Sequence, residues 1–152
     1  MESLRVGIGE VKVADGEAKL VTYGIGSCVA IILYDPVIKV GGFAHCLLPF
    51  GDGPELKYPR NAINAMLKAM IDKGAQQKRI IAKIIGGATM FEGFERHSIG
   101  KRNVAQSRKI LEELGVAVVA EDVFGDHGRS VELNLGTGEV RVHSYRHGEK
   151  IL

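Results

Sequence analysis

Alternating apolar and polar residues are the clearest pattern in the first part of the chain. Residues 4 to 13 follow the two-residue period of a half-buried strand, and residues 18 to 23 form a second short run of this kind. Residues 28 to 34 are apolar on both faces, which predicts a central strand covered on both sides. The turn signature Asp35-Pro36 separates it from a return strand over residues 40 to 48.

Two helices are predicted further along the chain. From Pro59 to Lys73 the apolar residues recur at helical spacing, with proline near the start and Gly74 just past the end. A second helix is predicted from about Asn103 to Leu114, and Gly115 stops it. The segment between the helices contains one short apolar strand, residues 80 to 85, and then a long loop.

Strands dominate again after the second helix. Residues 116 to 123 form one strand, and residues 130 to 135 and 139 to 145 form a hairpin around the turn at residues 136 to 138. This order of elements predicts an α+β fold in which two main helices cover a largely antiparallel sheet. A chain of 152 residues fits a single domain, residues 1–152.

Composition and charge narrow the function classes. The chain is 45% hydrophobic and 25% charged, which is average for a globular protein, and the net charge is +2. Its basic residues are scattered, so nothing favours binding to nucleic acid. We expect a cytoplasmic protein without membrane insertion, because no apolar stretch approaches the roughly 20 residues that cross a bilayer and the N-terminus lacks a signal-peptide core.

A cysteine and a histidine are the first candidates for chemistry. If Tyr34 faces Lys39 across a loop of residues 35 to 38, counting back along both strands places Cys28 directly opposite His45. Their Cβ atoms would then be about 4.5–5.5 Å apart on one face of the sheet. An imidazole beside a thiol can take its proton and produce a nucleophilic thiolate, which predicts a catalytic Cys-His pair.

The glycine turn before Cys28 supports this prediction. Gly24 and Gly26 leave room for a substrate and free backbone N–H groups, including that of Cys28, to hold an oxyanion. The Ser27 hydroxyl could add a donor, so Ser27 and Gly26 are candidates for oxyanion or substrate binding. Thr22 lies at the end of the strand that leads into the turn. It is the nearest polar residue in chain order that could orient His45.

The remaining cysteine and histidines have simpler interpretations. Cys46 follows His45 in an apolar strand, so we expect it on the opposite face in the core, and a zinc site built from Cys28, His45 and Cys46 is disfavoured. No metal and no cofactor are expected. We expect the remaining histidines, His97, His127, His143 and His147, to be exposed to solvent. Residues 126 to 130 are expected to form a solvated turn, in which Arg129 with Ser130 could alternatively bind a carboxylate.

Five short motifs, taken together and in this order, resemble the chemoreceptor glutamine deamidase family, CheD, over nearly the whole chain. They are TYGIGSC (22–28), HCLLP (45–49), GGATMF (86–91), IGKRN (99–103) and GRS (128–130). The resemblance implies a layered α/β sandwich similar to bacterial toxin deamidases. It also implies a Cys-His-Thr set, which falls on Cys28, His45 and Thr22.

The resemblance further implies a reaction and its partners. Particular glutamine side chains on the cytoplasmic helices of chemotaxis receptors would be hydrolysed to glutamate through a cysteine thioester, with release of ammonia. A CheC-type phosphatase of the response regulator is a further implied partner. Substrate choice is expected in the loops 49 to 59 and 87 to 102, where Met90, Phe91 and Phe94 form either a contact surface or a plug at one end of the core.

Three other functions remain open from the residues alone. A cysteine peptidase or a transglutaminase would use the same pair of side chains. A non-catalytic binding module that modulates a CheC-type response-regulator phosphatase would need neither. A thiol redox sensor would need a resolving cysteine, and Cys46 is expected on the wrong face.

Overall fold

The computed structural model describes residues 2–90 and 98–152, and these fold into strands and two α-helices. The helices are α1 (Pro59–Asp72) and α2 (Ile99–Glu113), with a 3₁₀ turn at Gln77–Arg79 between them. The strands β1 to β10 are, in chain order, Glu2–Arg5, Val11–Asp15, Ala18–Ile25, Val29–Asp35, Val40–Cys46, Ile81–Gly86, Ala117–Val123, Arg129–Asn134, Val140–Ser144 and Gly148–Ile151. Neither helix is long and apolar enough to span a membrane.

The strands form two sheets of five strands each. The strand order of the first sheet is β1-β3-β8-β9-β10, and that of the second is β2-β5-β4-β6-β7. Within the described residues only the pairs β1/β3 and β6/β7 are parallel, so the predicted largely antiparallel arrangement is confirmed. The predicted sheet, however, is divided into two.

Two hydrophobic cores define the layers. The first lies between the helices and the second sheet, where side chains of α1 such as Ile63 and Met66 pack on those of β4 such as Ile31. The second lies between the two sheets and contains Ile32 of β4 and Leu133 of β8. Strand β4 is therefore covered on both faces, as its uninterrupted apolar sequence predicts. The result is an α+β layered sandwich with helices on one outer face.

The structure corrects the predicted elements at three places. The predicted strand over residues 4 to 13 is two strands in different sheets, β1 and β2. Helix α2 begins one turn before Asn103, because the Ser98 hydroxyl accepts a hydrogen bond from the Lys101 N–H and caps its first turn. Strand β10 was not predicted, since its residues are exposed and show no apolar alternation.

The β4–β5 hairpin is confirmed, but its predicted register is wrong by two residues. Tyr34 faces Gly41 rather than Lys39, and His45 faces Ala30 rather than Cys28. The cause lies at the turn. Asp35 remains in the ladder, where its buried carboxylate accepts hydrogen bonds from Arg79, and Lys39 closes the loop with φ 55°. A shift of two residues preserves the face on which each side chain lies.

Candidate active site

The glycine turn before Cys28 is fixed by its carbonyl groups. Strand β3 bulges between Thr22 and Ile25, and the chain then turns through residues 26 to 28 into β4. The carbonyl of Gly26 accepts a hydrogen bond from the Ala88 N–H at 3.0 Å, and that of Cys28 accepts one from the Gly87 N–H at 2.8 Å. The turn is therefore anchored to the segment that follows β6.

Glycine is required where this segment meets the turn. At Gly86 φ is +117°, and a Cβ there would lie 2.5 Å from the carbonyl oxygen of Cys28. Gly100 in the first turn of α2 contacts the backbone of Gly87 and Ala88 so closely that any Cβ would clash with it. The GGATMF and IGKRN motifs thus bring three backbone segments together beneath Cys28.

Cys28 and His45 lie on the same face of the hairpin as diagonal neighbours. His45 is opposite Ala30 in the ladder, and Cys28 precedes Ala30 by two residues. Diagonal positions in an antiparallel pair are about 7–8 Å apart, within reach of long side chains. His45 is buried at 1% exposure, and Cys28 retains 7%.

Thr22 contacts His45 as the sequence predicts. Its hydroxyl donates to the Val6 carbonyl oxygen at 2.6 Å, and it lies 2.8 Å from Nδ1 of His45. Because the single hydroxyl hydrogen points to Val6, the hydroxyl oxygen can only accept from His45, which places the imidazole proton on Nδ1. Nε2 of His45 is then unprotonated, and it is buried without a hydrogen-bond partner in the described part of the chain. This is the tautomer that a general base needs.

Burial determines the charge state of the pair. It raises the pKa of the Cys28 thiol, and a hydrogen bond with the backbone N–H of the same residue offsets part of that increase. Burial also lowers the pKa of His45. Both shifts favour neutral forms, so the resting pair is a thiol and an imidazole rather than an ion pair.

The N–H groups of Ser27 and Cys28 point to no backbone acceptor among the described residues, and that of Cys28 contacts the sulfur of its own side chain. Ser27 and Gly26 are half-buried, and the side chain of Met90 lies against Gly26. The geometry is suited to holding an anionic oxygen beside the thiol.

Asn103 is a buried site residue that sequence reasoning missed. Its Nδ2 donates to the carbonyl oxygens of Ser27 at 2.9 Å and Leu47 at 3.1 Å, so one amide joins the Cys28 turn to the chain just after His45. Its Oδ1 is buried with no partner among the described residues. The sequence does hold an indication of this role, because Asn103 is a polar residue within the IGKRN motif at a position of α2 that faces the core.

Cys46 lies where it was predicted, on the opposite face under the helices. Its exposure is 0%, and its thiol faces the carbonyl oxygen of Leu56 at 3.8 Å. Burial raises the pKa of this thiol to about 12, and the charge of nearby Cys28 makes a smaller contribution in the same direction. It therefore cannot share a ligand with the face that holds Cys28 and His45.

The other predicted residues have mixed outcomes. Met90 is exposed near the glycine turn, whereas Phe91, Phe94 and His97 lie outside the described residues. Arg129 is not in a solvated turn. Its side chain is buried, and its Nε donates to the Asp122 carboxylate at 3.0 Å.

Comparison with known proteins gives a consistent result. The family described as CheD chemotactic sensory transduction matches residues 50–144. The chain is 45% identical over 150 residues to the "Probable chemoreceptor glutamine deamidase CheD 2" of Geobacter metallireducens, covering 93% of each chain. It is 42% identical over 158 residues to the "Probable chemoreceptor glutamine deamidase CheD" of Pyrococcus horikoshii, covering 99% of this chain and 98% of the relative.

A third relative covers the same region. The chain is 41% identical over 149 residues to the "Chemoreceptor glutamine deamidase CheD" of Thermotoga maritima, covering 96% of this chain and 94% of the relative. These matches extend beyond the family segment to nearly the whole length, including the turn and the hairpin described above. The chain therefore belongs to the CheD family.

Proposed function

We propose that this chain hydrolyses glutamine side chains of chemotaxis receptors to glutamate, with Cys28 as nucleophile and His45 as general base and acid. The single observation that carries the proposal is the hydrogen bond between Thr22 and Nδ1 of His45, which leaves Nε2 free on the face of Cys28. Membership of the family and the names of its relatives support the substrate and the reaction. We propose that the chain acts on these receptor helices in the cytoplasm.

The first half of the reaction forms a thioester. The Cys28 sulfur attacks the glutamine side-chain carbonyl while Nε2 of His45 takes the thiol proton, because the resting pair is neutral. The N–H groups of Ser27 and Cys28 hold the oxyanion of the tetrahedral intermediate. The C–N bond then breaks, and imidazolium His45 gives its proton to the departing ammonia.

The second half restores the thiol. Water loses a proton to Nε2 of His45 and attacks the thioester carbonyl. The C–S bond then breaks to release the acid, and imidazolium His45 returns its proton to the departing sulfur, which regenerates the Cys28 thiol and the neutral imidazole. The sum is one amide and one water converted to one acid and one ammonia. Throughout, Thr22 keeps the ring oriented by accepting from Nδ1.

Exposed apolar side chains on segments that contact this site would suit a protein substrate. Met90 is 47% exposed and lies against Gly26. Ile8 is 63% exposed and precedes Gly9, whose N–H donates to the carbonyl of His45. Exposed apolar residues beside a site can contribute to a protein-binding surface, so we propose that the receptor helix contacts this side of the molecule.

The decisive experiment incubates the chain with the cytoplasmic fragment of a chemotaxis receptor and follows two products. We expect ammonia release together with a gain of about 1 Da per modified glutamine by mass spectrometry, as hydrolysis of an amide to an acid requires. A peptidase would instead cut the fragment, and a transglutaminase would incorporate an added amine. Either of those outcomes, or an unchanged fragment, would contradict the proposal.

A CheC-type phosphatase is proposed as a second partner, and its binding separates a catalyst from a binding module. We expect Cys28→Ala to retain phosphatase binding by calorimetry while deamidation is lost. If this variant keeps every activity of the unsubstituted chain, the protein is a non-catalytic modulator and the assignment of Cys28 is wrong.

A further inference from the structure

Two histidines and an aspartate converge at one end of the first sheet. Asp126 and His127 lie between β7 and β8, and His147 lies in the turn between β9 and β10. One potential ligand atom from each residue lies within 4.8 Å of the others. The two imidazole rings have a centroid separation of 4.0 Å, and Nδ1 of His127 is 3.7 Å from Oδ1 of Asp126.

His127 is the more buried of the two histidines. Its Nδ1 is buried with no hydrogen-bond partner among the described residues. A small cavity of about 60 Å³ opens beside the ring and is lined by both histidines.

The charges around the cluster permit a cation. Lys150 lines this cavity and Arg129 lies two residues after His127, and both are paired with the Asp122 carboxylate at 3.0 Å. Asp126 has a side chain that is 79% exposed, and its Oδ1 lies toward Nδ1 of His127. The cluster therefore adds one uncommitted carboxylate to two imidazoles.

We propose that Asp126, His127 and His147 bind a Zn²⁺ ion or a similar divalent transition metal. Two imidazole nitrogens and one carboxylate oxygen are ligands that such ions prefer, and a water molecule would complete four-coordination. The ion would tie the β7–β8 loop to the β9–β10 turn. The effect would extend toward the glycine turn, because the Gly125 carbonyl accepts from the Thr89 N–H at 2.9 Å and Ala88 in turn donates to Gly26.

The test is a Zn²⁺ titration of the full chain by calorimetry, with variants chosen to keep the fold. We expect one Zn²⁺ per chain, and His147→Ala should weaken binding by more than about 100-fold, since loss of an outer-shell partner alone weakens metal sites by about 10- to 100-fold. His147 is exposed, and its backbone N–H donates a hydrogen bond to the Ser144 hydroxyl. Because this bond does not involve the imidazole, the alanine variant keeps it. The matched control is His143→Ala, which removes an exposed histidine of β9 outside the cluster.

Two further measurements separate this site from the thiols. Cys28→Ala should bind Zn²⁺ with unchanged affinity, and Co²⁺ should produce visible absorption bands without a thiolate charge-transfer band. Zn²⁺ should also raise the melting temperature of the unsubstituted chain and of His143→Ala, but not that of His147→Ala. Absence of binding, unchanged binding in His147→Ala, or loss of binding in Cys28→Ala would each overturn the proposal.

Discussion

The two cysteines of the chain lie at the same end of one β-hairpin, on opposite faces with opposite surroundings. Cys46 faces the helices at 0% exposure, and its pKa is raised to about 12. Cys28 faces the space between the sheets, follows a glycine turn, keeps 7% exposure and shares its face with His45. The same side chain is a core group in one place and a candidate nucleophile in the other.

The contrast teaches that strand alternation decides which thiol can react. His45 and Cys46 are consecutive, so their side chains point apart, and only one face can hold the thiol, the imidazole and the threonine together. On the helix-covered face Cys46 belongs to the hydrophobic cluster beneath the helices, and its thiol faces the carbonyl oxygen of Leu56. The other face supplies Cys28 with backbone N–H groups and a base in the required tautomer.

The largest difference between the two faces is expected on replacing each cysteine. Cys28→Ala should abolish deamidation of a receptor fragment, because the nucleophile is removed. Cys46→Ala should keep near-normal kcat and lower the free energy of unfolding by about 1 kcal/mol through lost packing. Activity comes from the mass-spectrometric assay and stability from urea unfolding. Equal activities in the two variants would remove the distinction.

His45→Gln should have the next largest effect. Loss of a general base lowers kcat by about 10²- to 10⁴-fold. In the unsubstituted chain kcat/KM should fall as the pH drops through the pKa of His45, because the protonated ring cannot accept the thiol proton. Burial lowers this pKa from its usual 6.5, so the fall should lie below pH 6.5. A pH profile of kcat/KM for both chains checks this. A substituted chain that keeps the same acid limb would assign that limb to another group.

Asn103→Ala tests the amide that joins the two halves of the site. It removes two hydrogen bonds to backbone carbonyls and should lower kcat by about tenfold or more, since about 1.4 kcal/mol of lost positioning is tenfold in rate. Ser107→Ala is the matched control. That residue is equally buried on the same helix, and its hydroxyl donates to the Asn103 carbonyl without contacting the site. Equal kcat losses at equal stability would indicate a purely structural role for Asn103.

Thr22→Val should give the smallest effect on the rate. It keeps the shape of the side chain but removes the acceptor for Nδ1 of His45, so we expect a loss in kcat of up to about tenfold with little change in KM. Thr22→Ser retains the hydroxyl and should keep most of the activity. If valine and serine behave alike, the hydroxyl does not orient the ring.

The sequence predicts which face each site residue occupies, but not the register that positions it. Apolar runs identify β4 and β5, and alternation separates Cys46 from His45. The register could not be inferred, because Asp35 stays in the ladder through a hydrogen bond to Arg79, which is distant in the sequence. The role of Asn103 was hidden for the same reason, since its two acceptors lie 76 and 56 residues away.

The most direct test of the central claim is alkylation of the native chain with iodoacetamide, with sites mapped by peptide mass spectrometry and residual deamidation measured in parallel. We expect Cys28 to be modified and Cys46 to be spared, and deamidase activity to fall in proportion to the modified Cys28. The rate of alkylation should rise with pH as the neutral thiol ionises. Full deamidase activity in a chain whose Cys28 is completely alkylated would contradict the account.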